Sequence, residues 1–153
     1  MASDPRLLWQ NDALWLPILA GALVQLVKFL GHWFRHQRPD FLVLIQAGGM
    51  PSSHAAMVCA LATAIGFREG FGSGAFAIAA VLAIIVMYDA AGVRQAASRQ
   101  ARVLNRIIDE LFQGHPISEE RLRELIGHTP FEVIVGAAIG IAVAWFSVSW
   151  RGL

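Results

Sequence analysis

The chain has 153 residues, 56% of them hydrophobic, with a mean hydropathy of +0.55 and a net charge of +1. That length suits one compact unit, the apolar share exceeds the about 45–50% of a soluble domain, and the near-neutral balance offers no basic footprint for nucleic acid. The expectation is one integral membrane domain over residues 1–153. It is an all-α, polytopic bundle of transmembrane helices, with membrane lipids as its surroundings and no nucleic-acid partner.

The first apolar segment reads as retained rather than as a cleaved signal. Asp4 and Asp12 flank Arg6, and no small-residue cleavage site follows. A spanning helix needs about 17–25 mostly apolar residues, and Ala13–Leu30 supplies the first. Lys28 stands near its end, able to snorkel or to enter a polar pocket. A polar stretch, His32–Asp40, follows. Phe41–Phe67 is apolar but interrupted by Gly48-Gly49-Met50-Pro51. Proline breaks a helix interior and fits its first turn. Phe41–Ala47 is therefore a short or re-entrant piece, and a second span begins near Pro51 and runs to about Phe67.

Arg68–Gly74 forms a glycine-rich turn, and Gly74 to about Tyr88 makes a third span. Asp89–Phe112 continues as an amphipathic helix, with Arg99, Arg102 and Arg106 forming a solvated or headgroup-facing stripe. Ser118 caps a short helix through Ile126. Gly127-His128-Thr129-Pro130 breaks the chain again, and a last span runs from Pro130 to about Trp150, with small residues that permit close packing. Trp9, Trp15, Trp33, Trp145 and Trp150 fall near span ends, where indoles anchor at the membrane interface.

Four spans place Lys28, Arg35, Arg38, Arg94, Arg99, Arg102, Arg106, Arg121 and Arg123 on one side and Arg6, Arg68 and Arg151 on the other. The positive-inside rule makes the first side cytoplasmic, in the cell's inner membrane. Three polar motifs share that side: GGMPSSH (Gly48–His54), YDAAGVRQ (Tyr88–Gln95) and GHTPFEV (Gly127–Val133). Sequence-distant polar groups that meet at one membrane depth mark a site.

Its chemistry suits an anion. Two helix starts, at Pro51 and Pro130, offer N–H groups and the positive end of a macrodipole. Ser52 and Ser53 add hydroxyls, and Arg94 and Lys28 add charge. His54 and His128 are each able to serve as nucleophile or general acid near neutral pH. Glu132, four residues past His128, stands within reach of its imidazole. The plainer readings remain open at this point. Thr129 and Glu132 fit a capping box, Ser52 and Ser53 fit helix caps, and Asp89 fits a partner for Arg94. Cys59, the single cysteine, reads as a small buried hydrophobe. Neither cysteine nor histidine spacing suggests a metal, and no cofactor is expected.

The set GGMPSSHAA, MYDAAGVRQ, Gln100-Ala101-x-x-Leu104-Asn105 and GHTPFEVIVG resembles the divergent branch of the phosphatidic acid phosphatase type 2 and vanadium haloperoxidase superfamily, from about Gln25 to Gly140. The resemblance implies a helical bundle that cleaves phosphomonoesters through a phosphohistidine, without a metal. It gives His54, in Pro51-Ser52-Ser53-His54, the role of protonating the leaving group. His128 becomes the nucleophile, Glu132 its orienter and Lys28 a phosphate ligand. The chain departs from the pattern in three places. Arg38-Pro39 follows Lys28 at a longer interval, Ser53 replaces a glycine, and Leu122 stands where an arginine should precede His128. Arg94 is the favoured substitute for that charge, with Ser52, Ser53 and Asp89 completing the substrate-binding set. The expected function is hydrolysis of a lipid phosphate such as phosphatidylglycerophosphate or phosphatidic acid. The alternative is a non-catalytic phospholipid-binding or transport protein that keeps a phosphate pocket. A small bundle of this kind is compatible with a homodimer.

Overall fold

The structure, a computed structural model, describes residues 4, 6–44, 49–92, 100–108 and 129–150. Among these residues every regular element is helical: α1 (Arg6–Trp9), α2 (Asp12–His36), a 3-10 turn (Phe41–Leu44), α3 (Ser53–Glu69), α4 (Gly74–Ala91), α5 (residues 100–108) and α6 (Pro130–Trp150). Three of them, α2, α4 and α6, are long and apolar enough to cross a membrane.

The expected second span corresponds to α3. At 17 residues it rises about 25 Å, a little short of a hydrocarbon core of about 30 Å. It is nevertheless the helix around which the others assemble, packing against α2, α4 and α6.

Helix α2 runs further than its apolar stretch, through His32, Arg35 and His36. Hydropathy marks where a helix can meet lipid, not where its hydrogen bonds stop. The stop comes at Gln37, whose left-handed φ of 55° turns its N–H back to the Trp33 carbonyl at 2.8 Å, two residues ahead of Pro39. Helix α3 starts at Ser53 rather than at Pro51, because Ser52 is its N-cap. Of the short or re-entrant piece expected over Phe41–Ala47, the described part, Phe41–Leu44, is a 3-10 turn. Asp40 Oδ1 accepts from the Leu42 N–H at 2.9 Å, and Gln25 Nε2 donates to the Leu44 carbonyl at 3.1 Å. Phe29 stacks on Phe41 and ties this turn to α2.

Side-chain pairs fix the helix directions. Arg68, at the end of α3, donates to the Gln10 carbonyl just before α2, and Phe67 meets Trp145 late in α6. At the other end, the Ser52 N–H donates to the Glu132 carbonyl at 3.1 Å. Thus α3 and α6 are parallel to each other and antiparallel to α2 and α4.

Lipid tails are as apolar as leucine, so such helices adhere through close packing rather than through the hydrophobic effect. The sequence supplies a four-residue repeat for it on three helices. Leu16, Ala20 and Val24 on α2 meet Ala56, Ala60 and Ala64 on α3 and Ala144 and Val148 on α6. Gly136 and Gly140 continue the α6 stripe. A Cβ added at either would overlap the carbonyl oxygen of Ser52 or of Ala56.

Candidate functional site

The end of the bundle where α3 and α6 begin gathers most of the described motif residues. The α2 stripe continues one turn past Val24 to Lys28, which is 9% exposed, so it does not snorkel outward. Its ammonium feels the charge of the Glu132 carboxylate on α6. Ser52 is fully buried and Ser53 nearly so. His54 is half-buried, with its Nδ1 atom shut away from solvent. Behind His54, Ala55 packs with Ala90 of α4 and Val133 of α6. The described parts of the three motifs therefore meet at one end of the bundle, through Ala55, Ala90 and Val133.

The two helix starts are capped from within. Ser52 Oγ accepts from the Ala55 N–H at 3.4 Å. At α6 the capping box is formed: Thr129 Oγ1 accepts from the Glu132 N–H at 3.3 Å, and Glu132 Oε2 accepts from the Thr129 N–H at 3.1 Å. Pro130 brings no N–H of its own. Much of the first-turn donor capacity is thus spent inside the protein. Among the described residues, the buried charge available to an anion at this end is that of Lys28, with the helix dipoles beside it.

Glu132 is therefore a helix cap and a charge beside Lys28 at once. His128 and Arg94 lie outside the described residues, as do Arg99, Arg121, Arg123 and the short helix expected from Ser118. Asp89 is at the same end of α4 as Ala90, but its side chain is exposed. Cys59 is buried with its thiol 3.7 Å from Met87 Sδ, as a small hydrophobe would be. Arg102 and Arg106 on α5 are exposed.

The close packing expected of the small residues in the last span is formed. Gly136 lets the α6 backbone approach the Ser52 carbonyl, and so sets the distance between the two helix starts. Its four-residue spacing from Gly140 was the available signal.

The family model described as the Divergent PAP2 family matches residues 9–143. The chain belongs to that family. An uncharacterized membrane protein of Bacillus subtilis (strain 168), YuiD, is 33% identical over 142 residues, which cover 86% of this chain and 90% of that protein. No solved structure matches the chain. Membership and the three apolar helices place this divergent PAP2 protein in a membrane. The family match also takes in every motif residue named above, from Lys28 to Glu132.

Proposed function

We propose that this divergent PAP2 protein is a membrane phosphatase that hydrolyses a lipid phosphomonoester through a phosphohistidine, at a site facing the cytoplasm. The observation that carries the reading is the Ser52–Glu132 backbone hydrogen bond. It holds the start of α3, with His54, against the start of α6, where Thr129 directly follows His128, and Lys28 is buried within electrostatic reach of Glu132.

In the proposed reaction the phosphoryl oxygens face Lys28 and Arg94. A His128 ring nitrogen attacks phosphorus, and the bond from phosphorus to the ester oxygen breaks. His54 gives its proton to the departing alkoxide. Water then attacks phosphorus, the phosphorus–nitrogen bond breaks, and His54 recovers a proton from that water. Fixed charge around the transferring group supplies most of the rate. The cytoplasmic orientation rests on Arg35 near the end of α2 and Arg38 just past it, at the site end, while Arg68 stands at the other. A cytoplasmic site suits a biosynthetic intermediate such as phosphatidylglycerophosphate or phosphatidic acid.

Two observations favour a second reading, a phospholipid-binding or transport protein with a phosphate pocket. A Glu132 oxygen is already engaged by the Thr129 N–H, and Leu122 replaces the third-motif arginine. Phosphate release from a panel of lipid phosphates in detergent micelles, by wild type and His128→Ala side by side, separates the two. Turnover lost in the folded variant supports the phosphatase, whereas equal release from both supports the binding protein.

A further inference from the structure

A groove of about 350 Å³ runs along the flank of the bundle between α3, α4 and α6. Cys59, Met87 and Ile141 line it toward the site end, and Phe67, Phe76 and Trp145 toward the other. None of the side chains lining it carries a charge. Helix α4 packs chiefly on α3 and barely meets α6, so the groove opens sideways into the surrounding lipid.

We propose that this groove holds one acyl chain of the lipid phosphate, with the aromatic cluster Phe67, Phe76 and Trp145 as its floor. This rests on the phosphatase reading above. Two observations argue for an acyl chain over other occupants. The first is shape and lining. From Phe76 to Met87, α4 rises about 16 Å, and the side chains along that length are uncharged, so the groove is a long apolar furrow open to lipid on one side, as an extended hydrocarbon chain requires. The second is continuity. The Cys59–Met87 end abuts the Ala55, Ala90 and Val133 cluster, and Ala55 is the neighbour of His54. A phosphate at His54 and a chain entering at Cys59 are then separated by about 7 Å of helix rise, a distance a glycerol ester spans. The groove thereby makes the enzyme select lipids by chain length, with Phe76 and Trp145 setting the limit.

The test fills the groove midway with Ala80→Trp, using Ala77→Trp on the exposed face of the same helix as control. Phosphate release is measured from dioleoyl and dihexanoyl phosphatidic acid in micelles. Ala80→Trp is expected to lower kcat/KM for the dioleoyl lipid by about tenfold or more and to leave the dihexanoyl lipid within about threefold. Ala77→Trp should change neither. If Ala80→Trp fails to fold, Ala80→Leu is read by the same criteria. Both lipids falling together in a folded variant, or neither falling, overturns the groove assignment. If the wild type hydrolyses no lipid phosphate, the phosphatase reading fails, and the groove is tested with a phospholipid carrying a photoactivatable diazirine on its acyl chain. Labelling concentrated on peptides containing Cys59, Met87 and Ile141, and reduced in Ala80→Trp, supports it. Labelling spread evenly around the bundle and unchanged in the variant overturns it.

Discussion

The backbone N–H of Ser52 donates to the Glu132 carbonyl across the α3–α6 interface, and the glycine at position 136 is what allows the approach. Residues 80 positions apart in sequence are thereby locked into one geometry, and the proposed chemistry depends on it.

Gly136→Ala tests that lock. The new methyl would overlap the Ser52 carbonyl oxygen, which is rigid backbone. Forced overpacking of this kind costs about 1–3 kcal/mol. The thermal midpoint in detergent should fall, and phosphate release should fall with it because the helix starts separate. Ala138→Leu, on the exposed face of α6, should stay within about 0.5 kcal/mol of wild type.

Glu132 has two separable jobs, and Gln keeps only one of them. Glutamine at N3 preserves a capping box but removes the charge beside Lys28. Glu132→Gln is expected to unfold within about 0.5 kcal/mol of wild type while losing activity by about tenfold or more. Glu132→Ala should lose activity and also about 1 kcal/mol of stability, the usual cost of a lost cap. Full activity in Glu132→Gln would reduce Glu132 to a cap.

Ser52 and Ser73 are both N-caps, of α3 and α4, at opposite ends of the bundle. Alanine at either should destabilise by about 1 kcal/mol. Only Ser52→Ala should also depress turnover, since Ser73 lies in the turn at the far end. Chemical denaturation alongside phosphate release reads both. An equal effect on activity would show that Ser52 acts through stability alone.

Lys28→Met keeps the length and apolar stem of the side chain and removes its charge. Loss of a group that stabilises the transferring phosphoryl typically costs about 100-fold to 1,000-fold in turnover, and that range is expected for kcat/KM. Because Lys28 and Glu132 share one electrostatic environment, Lys28→Met combined with Glu132→Gln should cost less than the two single effects added. Additive losses would mean that the two groups act separately.

Local signals announced the helices, because they act within a few residues. Ser73 and Gly74 start α4, Thr129-Pro130 starts α6 at the expected residue, and the Gly70–Ser73 turn reverses the chain. Even the capping box at Thr129 and Glu132 was legible, though not whether it would form. On a four-span reading, the motif order also put the polar segments of α2, α3, α4 and α6 at one end. The faces were not legible. Helix α3 is small and apolar nearly all round, so no polar stripe shows which side meets α2, α4 or α6. Contact between helices decided that instead, through shape. Gly136 and Gly140 admit the backbone of Ser52 and Ala56, and the Leu16, Ala20 and Val24 stripe carries Lys28 inward where length alone allowed it to reach outward. Apolar residues read alike in a one-dimensional pattern, and only the packed helices distinguish a methyl that fits from one that collides.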